Sequence, residues 1–341
     1  MRFVVLAWAL SRLLIVAVML SNGHADAFAN WDGAWYGSIV AHGYEYAPDG
    51  RRHNVAFFPL FALLAAPFVT RGLPWPVVAA VLANAAFLAA LVLVYRLAVR
   101  RYDAVAAKWC VAVACLLPPS LFCSVAYPQS VFLLSSALAL DFWDRSHVVA
   151  AGGAGGFASA ANPLGFPLAL AMLLDGMMQR RAASIVAGLI AFSGIAAFSL
   201  YCALHFGDAL AFVHAQRSWQ RGFGIDLHAW RAIFTSLLTL DGARQNIMVV
   251  ALVPLGALVV AAQARRLGRM MTLYALVALA MLVCSGTPFS VDRNAYAVAP
   301  VLLGYGATLR RVPAAGYIAL ALCALLLVID AGRFARFEWV A

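Results

Sequence analysis

Apolar runs about one bilayer thick recur from one end of the chain to the other, interrupted by short basic clusters and two longer polar stretches. The runs cover residues 3–21, 74–95, 104–122, 125–143, 182–205, 246–264, 270–285, 296–309 and 314–331. Residues 148–161 and 163–178 read as a pair broken at Asn162-Pro163. The stretch from Val55-Ala56-Phe57-Phe58-Pro59-Leu60 to Val69 is apolar too, but short and bounded by proline. If it crossed the bilayer, the cluster Arg96, Arg100, Arg101 and Lys108 would fall on the outside, against the positive-inside rule. It therefore reads as interfacial or re-entrant, and the whole as an all-α polytopic membrane protein of about eleven spans. The chain forms one transmembrane domain over 1–341, with a first outer loop at about 22–56, an interfacial segment at about 57–70 and a second outer loop at about 206–245.

Composition sharpens this picture. The chain is 65% hydrophobic and 11% charged, too little charge to cover a water-soluble domain of this length. Its net charge of +10 does not form a nucleic-acid-binding face. The basic residues sit between apolar runs, as in Arg180-Arg181, Arg265-Arg266 with Arg269, and Arg310-Arg311, and mark cytoplasmic ends. On these anchors the first helix runs outward and the C-terminus lies outside, which Arg333 and Arg336 mildly oppose. Arg2 and Ala25-Asp26-Ala27 mimic the flanks of a signal peptide, but Arg12 interrupts the apolar stretch, so the expectation is a retained helix. Arg12 itself either snorkels inward or is paired within the bundle. The six cysteines lack CxxC or zinc spacing and read as small buried hydrophobes. The glycines at 152, 153, 155 and 156 lack a P-loop Lys-Ser/Thr and read as close helix packing.

The unusual polar residues gather on the outer side, among them His24, His42, His53, His205, His214, His228, Asp32, Arg51, Arg52, Arg217, Arg221, Asp292 and Arg293. A site built from them faces away from cytoplasmic nucleotides, so an activated substrate must arrive on a lipid. The first outer loop reads Trp31-Asp32-Gly33-Ala34-Trp35-Tyr36, then Gly43-Tyr44, then Phe57-Phe58-Pro59-Leu60. Here the chain resembles the PIG-V-like family of GT-C glycosyltransferases, mannosyltransferases that use polyprenyl-phosphate sugars. Tyr127-Pro128-Gln129-Ser130, Asn162-Pro163-Leu164-Gly165, Gly207-Asp208 through Trp219, and Ser285-Gly286 through Arg293 and Tyr296 look similar as well. The family often has Glu where Gln129 stands and Arg where Asn162 stands, so this chain lacks two charges there. The resemblance implies a GT-C-type bundle in a bacterial inner (plasma) membrane, its active site on the outer face. It also implies a polyprenyl-phosphate donor, mannose as the sugar, and a lipid, glycan or protein acceptor.

The chemistry stands beside the resemblance. Transfer from a lipid phosphate needs a base for the acceptor hydroxyl and no strong acid, because phosphate leaves as a stabilised anion. One carboxylate suffices for inversion, unlike the pair of a glycosidase. Asp32 is the candidate base; the alternative is a helix-capping or structural Asp, N-terminal to a short amphipathic segment, 33–42. Arg293, Arg217, Arg221 and Arg52 are candidates for the donor phosphate, with headgroup contact as the alternative for Arg217 and Arg221. Trp31, Trp35, Tyr36, His42, Tyr44, Phe58, Tyr127, Gln129 and Asn162 are candidates to line the cavity. His42 equally suits a packed, hydrogen-bonded role. No metal-ligand spacing occurs, and the reaction does not require a divalent metal, although one is compatible with it. A transporter or flippase is the alternative from another class, and a catalytically inactive GT-C relative is a third reading.

Overall fold

The computed structural model describes residues 1–219, 221–239 and 243–340, the side chains of 243–245 excepted. Residues 220 and 240–242 of the second outer loop lie outside the described residues. The first helix, α1 (Arg2–Asn22), is followed by α2 (Asp32–His42), α3 (Pro59–Val69) and the long α4 (Trp75–Arg101). Then come α5 (Ala104–Leu116), α6 (Gln129–Asp144), α7 (Val148–Ala161), α8 (Gly165–Met178), α9 (Ala182–Ala191) and α10 (Ser193–Phe206). The second loop carries α11 (Ala211–His214) and α12 (Leu227–Thr239). The remainder is α13 (Ala243–Leu252), α14 (Pro254–Ala262), α15 (Ala264–Leu267), α16 (Arg269–Val283), α17 (Val291–Tyr296), α18 (Ala299–Leu309) and α19 (Pro313–Ala335). Among the described residues there is no named β-strand, and the only bridge joins Gly224 to Ser285.

The protein is an integral membrane protein. By length and composition α1, α4 and α19 can each cross a bilayer, and α9–α10, bent by 41° at Phe192, can cross as a broken pair. Most of the remaining predicted spans map onto shorter apolar helices, and proline breaks two of the runs. Leu117-Pro118-Pro119 ends α5 at Leu116 and leaves a 3₁₀ turn over Pro118–Cys123, and Pro254 divides the run at 246–264. The run at 296–309 likewise starts late, at Ala299, behind the separate short helix α17. The glycine reading fits the geometry: a Cβ at Gly152 would come 2.6 Å from the Ala187 carbonyl, and α7 packs backbone-close on α9.

Arg12 is paired within the bundle. Its guanidinium donates to the carbonyls of Ser120 (2.7 Å) and Cys115 (3.0 Å) and to the Ser124 and Ser120 hydroxyls. Those carbonyls lie at the end of α5 and in the turn after it, where the helix can no longer satisfy its own acceptors. A buried charge is thus used to finish a broken helix at membrane depth. At the opposite end, the basic clusters hold carboxylates: Arg100 pairs with Asp141 (2.7 Å) and Asp144 (2.6 Å), Arg269 with Asp175 (2.5 Å) and Arg310 with Asp103 (2.5 Å). Arg333 and Arg336 both bind Glu338 (2.7 and 3.0 Å). Four cysteines are buried, whereas Cys284 and Cys323 are only partly so.

Candidate functional site

Three helix ends meet on the side the sequence assigns to the outside. Asp32 opens α2, Tyr127-Pro128 precedes α6, and Arg293 lies on the buried α17. Trp75 Nε1 donates to the Gly33 carbonyl (2.9 Å), and Ala126 N donates to the Phe28 carbonyl (2.8 Å). A Cβ at Gly33 would lie 3.0 Å from that of Ala126, so glycine permits this close approach of α2 to the turn before α6.

At the meeting point Arg293 Nη2 donates to Asp32 Oδ2 at 2.5 Å, across 261 residues of sequence. The Asp32 N–H donates to the Tyr127 hydroxyl (3.2 Å), and the Arg293 guanidinium lies 5.0 Å from the Tyr127 ring and 5.4 Å from that of Phe122. Asp32 keeps 15% side-chain exposure and Arg293 9%. Nε and Nη1 of Arg293 are buried and find no partner among the described residues. Burial opposes the arginine's charge, but Asp32 and then Tyr127 outweigh it, and the net shift is upward. The two chain segments that deliver the pair are strained: Trp31, just before Asp32, has φ 56°, and Ser290, at the start of α17, has φ 59°. Positive φ in a tryptophan is a local cost that the surrounding packing must hold.

The neighbouring groups follow from this centre. Tyr36, buried one turn along α2, packs on Phe57 and Phe61, and its hydroxyl is raised by burial and by Asp32. Asn162 ends α7, accepts from Leu164 N (3.0 Å) and donates to Asn294 Oδ1 (3.2 Å), tying the broken pair to α17. Gln129 is the buried first residue of α6. Asp292 has a buried, unpartnered Oδ1, and burial pushes its carboxyl from 3.8 up to about 6 against the pull of Arg293. Folding therefore favours the neutral form of Asp292 at acidic pH. Its contribution to stability is complete below pH 3.8 and is lost as pH rises through about 6. Thermal melts between pH 4 and 7 should lose this slope in Asp292→Asn, whose amide resembles the protonated acid.

Other candidates lie elsewhere. Asp32 does not cap α2; Trp31 holds the N-cap position, and the Asp32 side chain turns to Arg293. Trp31 stacks on Phe337 (4.4 Å) and meets Trp339, so it packs against the C-terminal tail rather than beside Arg293. Trp35 joins Phe57 and Trp219 in an aromatic cluster, over which Arg52 stacks on Trp219 (4.5 Å). Tyr44 and Phe58 belong to a satellite core with Phe198, and His42 is exposed at the far end of α2. An eleven-residue helix is about 16 Å long, so its two ends cannot serve one centre.

Arg217 and Arg221 do not share a helical face, because the 3₁₀ turn Ala215–Trp219 ends between them. Arg217 is exposed near Tyr46. Arg221 donates to the Phe289 carbonyl (3.2 Å) and is pushed down to about 10, first by burial, then by Arg293. It therefore stays cationic near the pair at neutral pH. Sequence reasoning missed Asn294 and Ser290; the polar run Asp292-Arg293-Asn294 within apolar surroundings was the available signal. Among the described residues no group of three His, Cys, Asp or Glu side chains is placed to hold a metal ion.

The arrangement is a carboxylate, a guanidinium and a tyrosine brought together where helix ends meet. Folds similar to this one occur in ArnT from Cupriavidus metallidurans bound to undecaprenyl phosphate (16% identity, TM-score 0.60, 94% of this chain and 63% of that one). The Archaeoglobus fulgidus oligosaccharyltransferase in complex with zinc and sulfate is similar as well (15% identity, TM-score 0.53, 98% of this chain and 53% of that one). The chain thus spans between about half and two thirds of the length of these structures, and the likeness establishes a GT-C fold. No curated protein matches the sequence. Asp32 and Arg293, which meet in the structure, both fall outside the stretch of sequence that matches a family profile. That stretch, residues 58–286, is about two thirds of the chain and matches glycosyltransferase family 87, to which the chain therefore belongs.

Proposed function

We propose that the protein transfers a glycosyl group from a polyprenyl-phosphate sugar to an acceptor hydroxyl at the outer face of a bacterial inner membrane. The observation that carries this reading is the Asp32–Arg293 pair, a base and a phosphate ligand held 2.5 Å apart. When the donor enters, its phosphate takes Arg293, whose unpartnered Nε and Nη1 can meet phosphate oxygens, with Arg221 adding charge nearby. Asp32 is then free to accept the proton of the acceptor hydroxyl. The acceptor oxygen attacks the anomeric carbon from the face opposite the phosphate. As the new C–O bond forms, the bond to the phosphate oxygen breaks, and the polyprenyl phosphate leaves with both electrons. The anomeric configuration inverts because a single displacement occurs.

Mannose is the sugar suggested by the PIG-V-like signature at Trp31-Asp32-Gly33, which precedes the matched segment. The bound undecaprenyl phosphate of the ArnT structure supports a lipid carrier for the donor. The test is transfer of labelled sugar in proteoliposomes, offering polyprenyl-phosphate mannose, polyprenyl-phosphate glucose and a nucleotide sugar separately. Label moving only from a lipid-linked donor is the expected result. Transfer from the nucleotide sugar alone, or from no donor over a wide acceptor panel, would defeat the reading.

A further inference from the structure

We propose that the segment closing α19, residues 333–339, is a positioning element for Asp32. Phe337 and Trp339 grip Trp31, and through its backbone they fix where the carboxylate points; the role holds only if Asp32 is the base of the proposed reaction. Trp31 sits at φ 56° and ψ −119°, a conformation that a tryptophan keeps only when its surroundings over-determine it. Phe337 stacks on the Trp31 ring, with centroids 4.4 Å apart and planes 13° apart, and Trp339 meets it edge-on at 5.2 Å and 82°. The preceding residue, Asn30, donates from Nδ2 to the Phe334 carbonyl (2.8 Å). Two consecutive residues just ahead of Asp32 are thus tied to the end of α19.

The gripping end is built as a Schellman turn. The Glu338 N–H donates to the Arg333 carbonyl (2.9 Å) and the Phe337 N–H to the Phe334 carbonyl (3.1 Å), with Phe337 in the positive-φ position at 63°. Glycine is the residue that position favours. A phenylalanine there, 58% exposed, ends the helix no better than glycine; what it adds is a ring face against Trp31. Glu338, between the two gripping residues, is held by Arg333 and Arg336, and Arg336 Nη1 donates to Asn22 Oδ1 (2.6 Å) at the end of α1. Phe334 meets the rings of Tyr127 (6.0 Å) and Phe122 (6.1 Å), over which the Arg293 guanidinium lies. Arg293 itself arrives on α17, so loosening Trp31 disturbs the direction of Asp32 rather than the place of the guanidinium.

Phe337→Gly separates ending the helix from gripping Trp31, because glycine suits the turn and removes the ring. It should melt near the wild type, yet lower kcat for transfer from polyprenyl-phosphate mannose at least about tenfold. The donor KM, and the affinity for C55 polyprenyl phosphate in nanodiscs, should stay unchanged. The Asp32 amide, which donates to the Tyr127 hydroxyl, and the Gly33 amide should exchange hydrogen about three- to tenfold faster, as for one lost aromatic contact. Phe337→Tyr keeps a ring and should return turnover and exchange to the wild type. Trp339→Ala should show the same split, and it decides if Phe337→Gly does not fold. Wild-type turnover or wild-type exchange in Phe337→Gly would overturn the positioning role, and so would equal losses of turnover and phosphate affinity. Faster exchange in a protein that transfers from no lipid-linked sugar would keep the grip on Trp31 and sink the proposed reaction.

Discussion

Asp32→Asn should cut sugar transfer by about 100-fold or more while binding polyprenyl phosphate more tightly than the wild type. The loss follows from removing the only group in the pair that can take a proton. The gain in affinity follows from the geometry. In the unaltered protein the Asp32 carboxylate on Arg293 Nη2 repels the arriving phosphate anion and shares the arginine's charge with it. Asparagine keeps the shape and offers a neutral oxygen, so the arginine meets the phosphate without an internal competitor. Transfer assays and equilibrium binding on the same preparation check both halves. A variant with lowered turnover and equally lowered affinity would make Asp32 a structural residue that holds Arg293 in place. Unchanged turnover would move the base elsewhere.

The rise in affinity also bears on how the pair works before substrate arrives. In the proposed reaction the carboxylate bonded to a buried guanidinium would be a restrained base, released when the donor binds. Proton uptake would then be coupled to donor occupancy, and water entering an empty site would meet no free base. Trp31, adjacent to Asp32, and Ser290, three residues before Arg293, adopt backbone conformations that favour other residues.

Much of this architecture was legible before any coordinates. The segment read as amphipathic over 33–42 is α2, one residue longer at its start, and the break at Asn162-Pro163 separates α7 from α8 as read. Those features are local, written in turn chemistry and hydropathy. Pro118-Pro119 and Pro254 break runs that average as continuously apolar, because averaging hides a proline inside such a run. The fate of Arg12 was undecidable, since the carbonyls it serves exist only because α5 stops early. Grouping Trp31, His42, Tyr44 and Phe58 with Asp32 followed sequence proximity, whereas a helix carries neighbours in sequence to opposite ends and faces. The Asp32–Arg293 contact spans 261 residues, and no periodicity links its ends. The outer-side gathering of polar residues and the motif resemblance each include both residues, but neither pairs them.

Arg293→Gln should destabilise the protein by about 3 kcal/mol, because it leaves a partly buried carboxylate without its counter-charge. The 15% exposure of Asp32 keeps the cost at the lower end of what breaking a buried pair entails. Turnover and polyprenyl-phosphate binding should both be lost. The double variant Asp32→Asn with Arg293→Gln should recover most of the lost stability, since two neutral amides can bond where the ions did, yet recover no transfer. Arg293→Lys separates charge from shape: an ammonium balances Asp32 but lacks the planar fork that offers Nε and Nη1 to phosphate oxygens. It should melt near the wild type while binding the donor at least about tenfold more weakly. Urea or thermal unfolding of the four proteins in one detergent, closed as a double-mutant cycle, measures the coupling. If Arg293→Gln is as stable as the wild type and the cycle shows no coupling, the ion pair is not what holds α2 to α17, and the restrained-base account falls with it.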